Sequence, residues 1–213
     1  RYDGQTLYRL KIPPHPRENV DFAKTPPGPS SPYETYCIRK DRRGHVWIGT
    51  LARGACRYDG HSWDWLFEKH LRETPAGGAF GIRSIFEDRQ GDFCICNTRY
   101  RFQVQPPAAS APTANILKYE RQPGVASFRT QSGDDHIYFM SILDDDDGNL
   151  WMATYDDGIW KYDGKSMTRF AVVNGNQPVR TFSMSKDRQA VLWLGTAAGP
   201  FRFNGSRFEK FKP

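Results

Sequence analysis

One phrase recurs along this chain. Val46-Trp47-Ile48-Gly49-Thr50 precedes Arg57-Tyr58-Asp59-Gly60, and Leu150-Trp151-Met152-Ala153-Thr154 precedes Lys161-Tyr162-Asp163-Gly164. Leu192-Trp193-Leu194-Gly195-Thr196 precedes Arg202-Phe203-Asn204-Gly205. A decayed copy, Phe93-Cys94-Ile95-Cys96-Asn97, precedes Arg101-Phe102, and the chain opens on Arg1-Tyr2-Asp3-Gly4, the tail of a further copy. A forty-odd-residue period loosened by insertions implies stacked or radial repeats.

Each copy divides into four short β-rich runs bounded by Gly, Asp, Asn or Pro, which is strand chemistry. The first run is Tyr36 to Lys40, Ile82 to Phe86, Phe139 to Leu143, and Phe182 to Ser185. The second holds the Trp phrase. The third is Ala55 to Tyr58, Tyr100 to Val104, Gly158 to Tyr162, and Pro200 to Phe203. The fourth is Trp63 to Phe67, Ile116 to Glu120, Met167 to Val172, and Phe208 to Phe211. No stretch sustains a helical period over ten or more residues.

The turns agree with this division. Asp41-Arg42-Arg43-Gly44, Asp88-Arg89-Gln90-Gly91 and Asp145-Asp146-Asp147-Gly148 suit hairpins with a left-handed glycine after the aspartate. The last copy has Ala190 in that place, at a modest steric cost. Asp-Gly or Asn-Gly between the third and fourth runs is a second hairpin signal.

Four antiparallel strands per repeat make a β-propeller blade. The expected fold is all-β: a propeller of four-stranded antiparallel blades, with four full repeats plus the last two strands of an earlier one. Residues 1–213 read as a single propeller segment. Within it, 1–35 is a partial blade and long loop, and 36–68, 81–121, 137–173 and 180–213 are blades. The opening run Leu7 to Leu10 is then surplus, because the last copy already owns its fourth strand. A fragment of a larger ring, a four-bladed ring with an extra edge strand, and fragments associating into a ring all accommodate it. Open edges would invite pairing with other chains.

The phrase Asp-x-x-Gly-x-Leu-Trp-Ile-Gly-Thr followed by Arg-Tyr-Asp-Gly resembles the two-component regulator propeller repeat. The resemblance runs from Arg1 to Pro213 and weakens in the second copy. It implies an extracytoplasmic propeller, of the kind that builds the sensing domains of bacterial hybrid histidine kinases or stands alone as a periplasmic or secreted protein. It carries over no catalytic residue.

The long insertions Lys11 to Thr35, Lys69 to Gly81 and Gly124 to Ile137 all fall between a fourth strand and the next first strand, on one face. The Pro/Ala-rich stretch Gln105 to Asn115 interrupts the second blade. Long loops gathered on one face point to a binding surface. The second-to-third loops bring Arg53, Arg99, Tyr155, Asp156 and Asp157 to that face, and the starts of the first strands bring Tyr36, Arg83, Tyr138 and Arg180. Aromatic and charged groups at one channel mouth suit a polar ligand, such as a glycan or peptide, stacked on Tyr and clamped by Arg.

The remaining chemistry is sparse. Cys37, Cys56, Cys94 and Cys96 match no zinc spacing and read as free thiols, with Cys94 and Cys96 on one face of a strand. The Asp144 to Asp147 run lacks the alternating ligands of a calcium loop and reads as a solvated turn. His15, His70 and His136 fall in the long loops, and His45 and His61 lie near turns on the opposite face. The net charge of +6 is spread over every repeat, which argues against a nucleic-acid stripe. No apolar run reaches the length of a membrane span.

The sequence therefore reads as a non-enzymatic, extracytoplasmic propeller binding a polar small molecule, glycan or peptide, or another protein, without metal or cofactor. Two alternatives stand beside it. One is a propeller lyase or hydrolase using His136 or His70 with Asp156 and Asp157. The other is a structural module that assembles through open edges or with further blades.

Overall fold

A computed structural model of the chain describes residues 2–21, 30–68, 71, 81–96, 98, 100–105, 115–125 and 138–212. One helical turn, α1 (Glu18–Asp21), precedes the strands. Blade 1 comprises β1 (Thr35–Lys40), β2 (Val46–Thr50), β3 (Ala55–Tyr58) and β4 (Trp63–Leu66). Blade 2 begins with β5 (Ile85–Glu87), β6 (Phe93–Ile95) and β7 (Tyr100–Val104). Next come β8 (Asn115–Ile116) and β9 (Tyr119–Pro123). Blade 3 is β10 (Ser141–Asp144), β11 (Leu150–Ala153), β12 (Ile159–Tyr162) and β13 (Met167–Phe170). A short hairpin, β14 (Val173–Asn174) and β15 (Gln177–Pro178), leads to blade 4. That blade is β16 (Thr181–Lys186), β17 (Leu192–Thr196), β18 (Gly199–Phe203) and β19 (Phe208–Lys210).

Each blade is a meander of antiparallel neighbours, and the four sheets form a four-bladed β-propeller. The fourth run of blade 2 departs from the sequence expectation. Ile116 to Glu120 is split: β9 completes blade 2, while β8 pairs in parallel with β4 on the outer rim of blade 1. A strand can leave its own meander when its backbone groups find a free edge elsewhere. The opening run also differs. Tyr2 and Leu7 share a single antiparallel bridge, and Leu7 to Leu10 forms no strand. Even so, Asp3 accepts the amides of Gln5 and Thr6 just as Asp59 accepts those of His61 and Ser62. The Tyr-Asp-Gly turn is therefore built locally, whether or not a blade surrounds it.

Three apolar clusters glue the blades. Trp47 packs with Phe93, Ile95 and Phe102 between blades 1 and 2. Phe86, Cys94, Phe139 and Leu150 fill the space between blades 2 and 3. Trp151, Leu194, Phe201 and Phe208 fill that between blades 3 and 4. A fourth cluster, Ile48, Cys56, Trp63 and Trp65, lies on blade 1 and is joined by Ile12 and Tyr33. Trp47 and Trp151 are buried, as expected of core residues, whereas Trp193 is half-buried and rests on Phe211 of its own blade.

Small repeat residues have visible tasks. The turn glycines Gly44, Gly91 and Gly148 all have positive φ, and Ala190 adopts the same region at 63°. Gly49 lets the next blade approach: a Cβ there would stand 2.3 Å from the Ile82 carbonyl oxygen. The threonine that closes each phrase ties the following turn. Thr50, Thr154 and Thr196 donate to the carbonyls of Gly54, Gly158 and Gly199.

The cysteines Cys37, Cys56, Cys94 and Cys96 are free. Cys94 and Cys96 do not share a face, contrary to the strand reading. Cys96 lies beyond the end of β6 with φ at 58°, so the alternation of side chains is broken after Ile95. Cys94 enters the cluster between blades 2 and 3, and Cys96 enters that between blades 1 and 2. Burial pushes the thiol of Cys94 up to about 12 and that of Cys96 to about 11.

Candidate functional site

The inner strands β1, β5, β10 and β16 surround a central cavity of about 410 Å³. Its lining includes Arg39, Arg83, Ser84, Ser141, Asp144 and Lys186. Two of the serines also clasp the blades together. Ser84 donates its hydroxyl to the Phe139 carbonyl, and Ser141 donates to that of Met184.

The pairings of Thr35 with Thr50 and of Thr181 with Thr196 set the start of each first strand beside the end of its second strand. The residue leading into a blade then bonds to the blade before it. Ile82 donates its amide to the Thr50 carbonyl, Phe139 donates to that of Cys96, and Thr181 donates to that of Tyr155. This stitching gathers the strand starts and second-to-third loops at one end of the channel.

Two arginine–tyrosine pairs stand at that end. The Arg83 guanidinium lies over Tyr36, 4.2 Å from the ring centroid, and Arg180 lies over Tyr155 at 5.3 Å. Each pair joins adjacent blades: Tyr36 is on blade 1 and Arg83 leads into blade 2, while Tyr155 is on blade 3 and Arg180 leads into blade 4. Tyr155 also meets the ring of Phe182 at 5.9 Å. Tyr36, Tyr155, Phe182 and Arg180 are exposed, so flat apolar surface and positive charge coincide in solvent.

Other expected site residues are committed to the fold. Arg53 is only 5% exposed, and its Nε and Nη2 bond the Glu18 carboxylate of α1 at 2.8 and 2.6 Å. The guanidinium also lies 5.6 Å from the Tyr33 ring centroid. Glu18 is held below the usual carboxylate range: its partial burial opposes this, but the bonds from Arg53 and the Tyr33 hydroxyl outweigh burial. Asp157 accepts from Arg169 Nε at 3.0 Å and Trp160 Nε1 at 3.2 Å, bracing its own loop. Tyr138 is half-buried against the cluster between blades 1 and 2. Asp156 is exposed beside Tyr155. Arg99, His70 and His136 lie outside the described residues, as do most of the insertions Lys69 to Gly81, Gly124 to Ile137 and Gln105 to Asn115.

His15 is buried, with Trp65 and Phe67 edge-on at 5.2 and 5.7 Å. Its amide donates to the Tyr33 hydroxyl. Sequence reasoning missed the role of α1, because four helical residues inside a long loop leave no periodic signal. Among the described residues no three His, Cys, Asp or Glu side chains are grouped to hold a metal ion. None of their helices is long and apolar enough to cross a membrane.

Residues 29–52 and 132–156 match the family model described as two component regulator propeller. No curated protein matches the chain. Among solved structures, it is similar to PorZ, a bacterial surface component of the type-IX secretion system of Porphyromonas gingivalis. That likeness has 14% identity and a TM-score of 0.50, covering 84% of this chain and 27% of that one. It is also similar to virginiamycin B lyase from Staphylococcus aureus, at 15% identity and a TM-score of 0.48, covering 87% of this chain and 58% of the lyase. The extracellular domain of a putative one component system from B. thetaiotaomicron gives 16% identity and a TM-score of 0.45, covering 86% of this chain and 31% of that one. The chain thus spans less than two thirds of each of these proteins, and at 14% identity the likeness to PorZ is one of fold.

Proposed function

We propose that this chain, which carries two component regulator propeller repeats, is an extracytoplasmic binding module that takes a polar ligand, a glycan or a peptide, at one mouth of its channel. The observation that carries this reading is the pair of cation–aromatic contacts, Arg83 on Tyr36 and Arg180 on Tyr155, at the same end of the channel. An exposed aromatic ring offers a flat face to a sugar or a peptide side chain, and a guanidinium offers a fork of donors to a carboxylate or hydroxyl pair. The exposed Asp156 adds an acceptor beside Tyr155. The repeat type supports a place outside the cytoplasm.

The test is a screen of immobilised glycans and a peptide library with the chain and its Arg83→Ala/Arg180→Ala double variant. A ligand whose affinity falls tenfold or more in the folded double variant supports the reading. Ligands that bind both proteins equally, or no ligand at all, would overturn it.

A second reading, assembly through blade faces, is favoured by a different observation. Ile38 is 69% exposed and borders an apolar groove of about 610 Å³ on blade 1, together with Leu10, Ile12, Val46, Ile48 and Tyr58. Solution mass across a concentration series separates this from a strict monomer.

A further inference from the structure

Blade 2 breaks the repeat's most regular contact, and the break leaves a cavity. In the other blades the turn aspartate uses Oδ2 to accept the indole N–H of the tryptophan six residues on. The distances are 3.0 Å for Asp41 and Trp47, 2.8 Å for Asp145 and Trp151, and 2.7 Å for Asp187 and Trp193. On the facing strand a cation stands opposite each tryptophan: Arg57, Lys161 and Arg202. Arg57 and Lys161 lie over their rings at 5.9 and 5.3 Å. The next blade provides an apolar floor, Phe93 for Trp47 and Phe203 with Phe208 for Trp151.

Blade 2 has the aspartate, the cation and the floor, but Cys94 occupies the tryptophan position. Asp88 Oδ1 still accepts the amides of Gln90 and Asp92. Its Oδ2 faces Arg101 Nη1 at 3.6 Å, longer than a hydrogen bond. Leu150 and Tyr162 of blade 3 hold the places that Leu192 and Phe203 hold beside Trp151. The vacated space is part of a cavity of about 530 Å³, lined by Asp88, Cys94, Arg101, Leu150, Tyr162 and Gly164 among others. That volume falls within the range of small-ligand sites, which runs from about 300 to 1,000 Å³. Exposed Arg89, Gln90 and Asp147 stand at its edge, on the turn face opposite the Arg–Tyr pairs.

We propose that this cavity binds an indole ring. The ligand's N–H donates to Asp88 Oδ2, its face lies under the Arg101 guanidinium, and its edge rests on Leu150 and Tyr162. Blades 1 and 3 show this acceptor, cation and floor around an indole of the chain itself, blade 4 shows the acceptor and the facing cation, and blade 2 offers all three without an indole. The remaining volume and the charged edge leave room for a polar extension of the ring, as in a free indole derivative or a tryptophan side chain borne by a peptide.

The experiment titrates the full chain with indole, with its isostere benzothiophene, which has no N–H, and with N-acetyl-tryptophanamide as the peptide-borne form. Binding is followed by ligand-observed NMR. Saturable binding of indole, about tenfold weaker binding of benzothiophene, and loss of binding in Cys94→Trp are expected. Tighter binding of N-acetyl-tryptophanamide than of indole assigns the site to a peptide, and the reverse order assigns it to a free small molecule; either supports the proposal. No saturable indole binding up to its solubility limit overturns it. So does equal affinity for benzothiophene, or undiminished binding to folded Cys94→Trp. Should Cys94→Trp fail to fold, Arg101→Met replaces it: a several-fold loss of affinity is expected, and an unchanged affinity overturns the proposal.

Discussion

Asp145 accepts the indole N–H of Trp151 at 2.8 Å and, through the same oxygen, the side-chain amide of Asn149. Its other oxygen takes the Asn149 backbone amide. One carboxylate thus fixes both the turn and the ring that fills the space between blades. Asp145→Ala strands an indole donor in the core, an effect of about 1–3 kcal/mol. Asp187→Ala removes the same bond from Trp193, which is half-buried and can turn to water, so the loss there is smaller. Urea unfolding of the two variants checks the order.

Acid weakens the fold through its turn aspartates. Backbone amides of Ser166 and Lys165, with the Ser166 hydroxyl, hold Asp163 down to about 2. Asp59 also lies near 2: burial opposes this, but the amides of Ser62 and His61 prevail. The indole of Trp193 lowers Asp187. A group depressed in the folded state stabilises it fully above the unfolded value of 3.8 and loses that contribution as pH falls through the folded value. The urea midpoint is expected to be level between pH 5 and 7 and to drop steeply from about pH 4 to about pH 2.

Ala190→Gly stabilises the protein. Ala190 sits at φ 63° in the place that Gly44, Gly91 and Gly148 occupy in the other blades. Relief of the left-handed strain, roughly 1–2 kcal/mol, exceeds the entropy lost with glycine, so a net gain of about 0.5–1 kcal/mol is expected. Thermal unfolding measures it, and a lowered midpoint would contradict the assignment.

Gly158 and Gly164 both have positive φ, yet alanine affects them unequally. At Gly158 a Cβ would stand 2.4 Å from the Phe170 carbonyl oxygen, whereas at Gly164 nothing lies within 4 Å. Gly158→Ala adds a clash to the conformational strain, while Gly164→Ala adds the strain alone, about 1–2 kcal/mol. The ratio of their unfolding free energies tests the turn geometry directly.

Glu18→Ala leaves the Arg53 guanidinium inside without its carboxylate. Breaking a fully buried pair costs about 3–5 kcal/mol, and the partial exposure of Glu18 brings the expectation to about 1–3 kcal/mol. Loss of α1 contacts should accompany it, visible as faster hydrogen exchange at the Glu18 and Val20 amides, which bond to the carbonyls of His15 and Arg17.

Local signals carried most of the fold. The Asp-x-x-Gly and Asp-Gly turns, the alternating aromatics and the recurring tryptophan act within a few residues, so β3 and β7 fall where the spacing puts them. What escaped depends on distant partners. Ile116 joins β4 of another blade, and no pattern in Asn115-Ile116 says so. Cys96 takes a left-handed backbone that Gly49 and Gly195, which hold its place in blades 1 and 4, do not have, and this reverses where its thiol points. In the candidate site, Arg83 and Arg180 were legible as strand-start cations. Arg53 reads in sequence as a second-to-third loop cation at the same mouth, and only the placement of α1 sets Glu18 against it.

The crossing of β8 onto blade 1 has a mechanical consequence. Blades 1 and 2 meet at the channel and again at the rim. There Leu117 donates to the Trp65 carbonyl, Arg57 donates to that of Gln105, and Arg121 pairs with Glu68 at 3.1 Å. A tensile load that peels blades from the ring one at a time must break this outer seam together with the inner one, so the first two blades should yield as a single event. In a pulling trace they form one long step, beside shorter steps for blades 3 and 4.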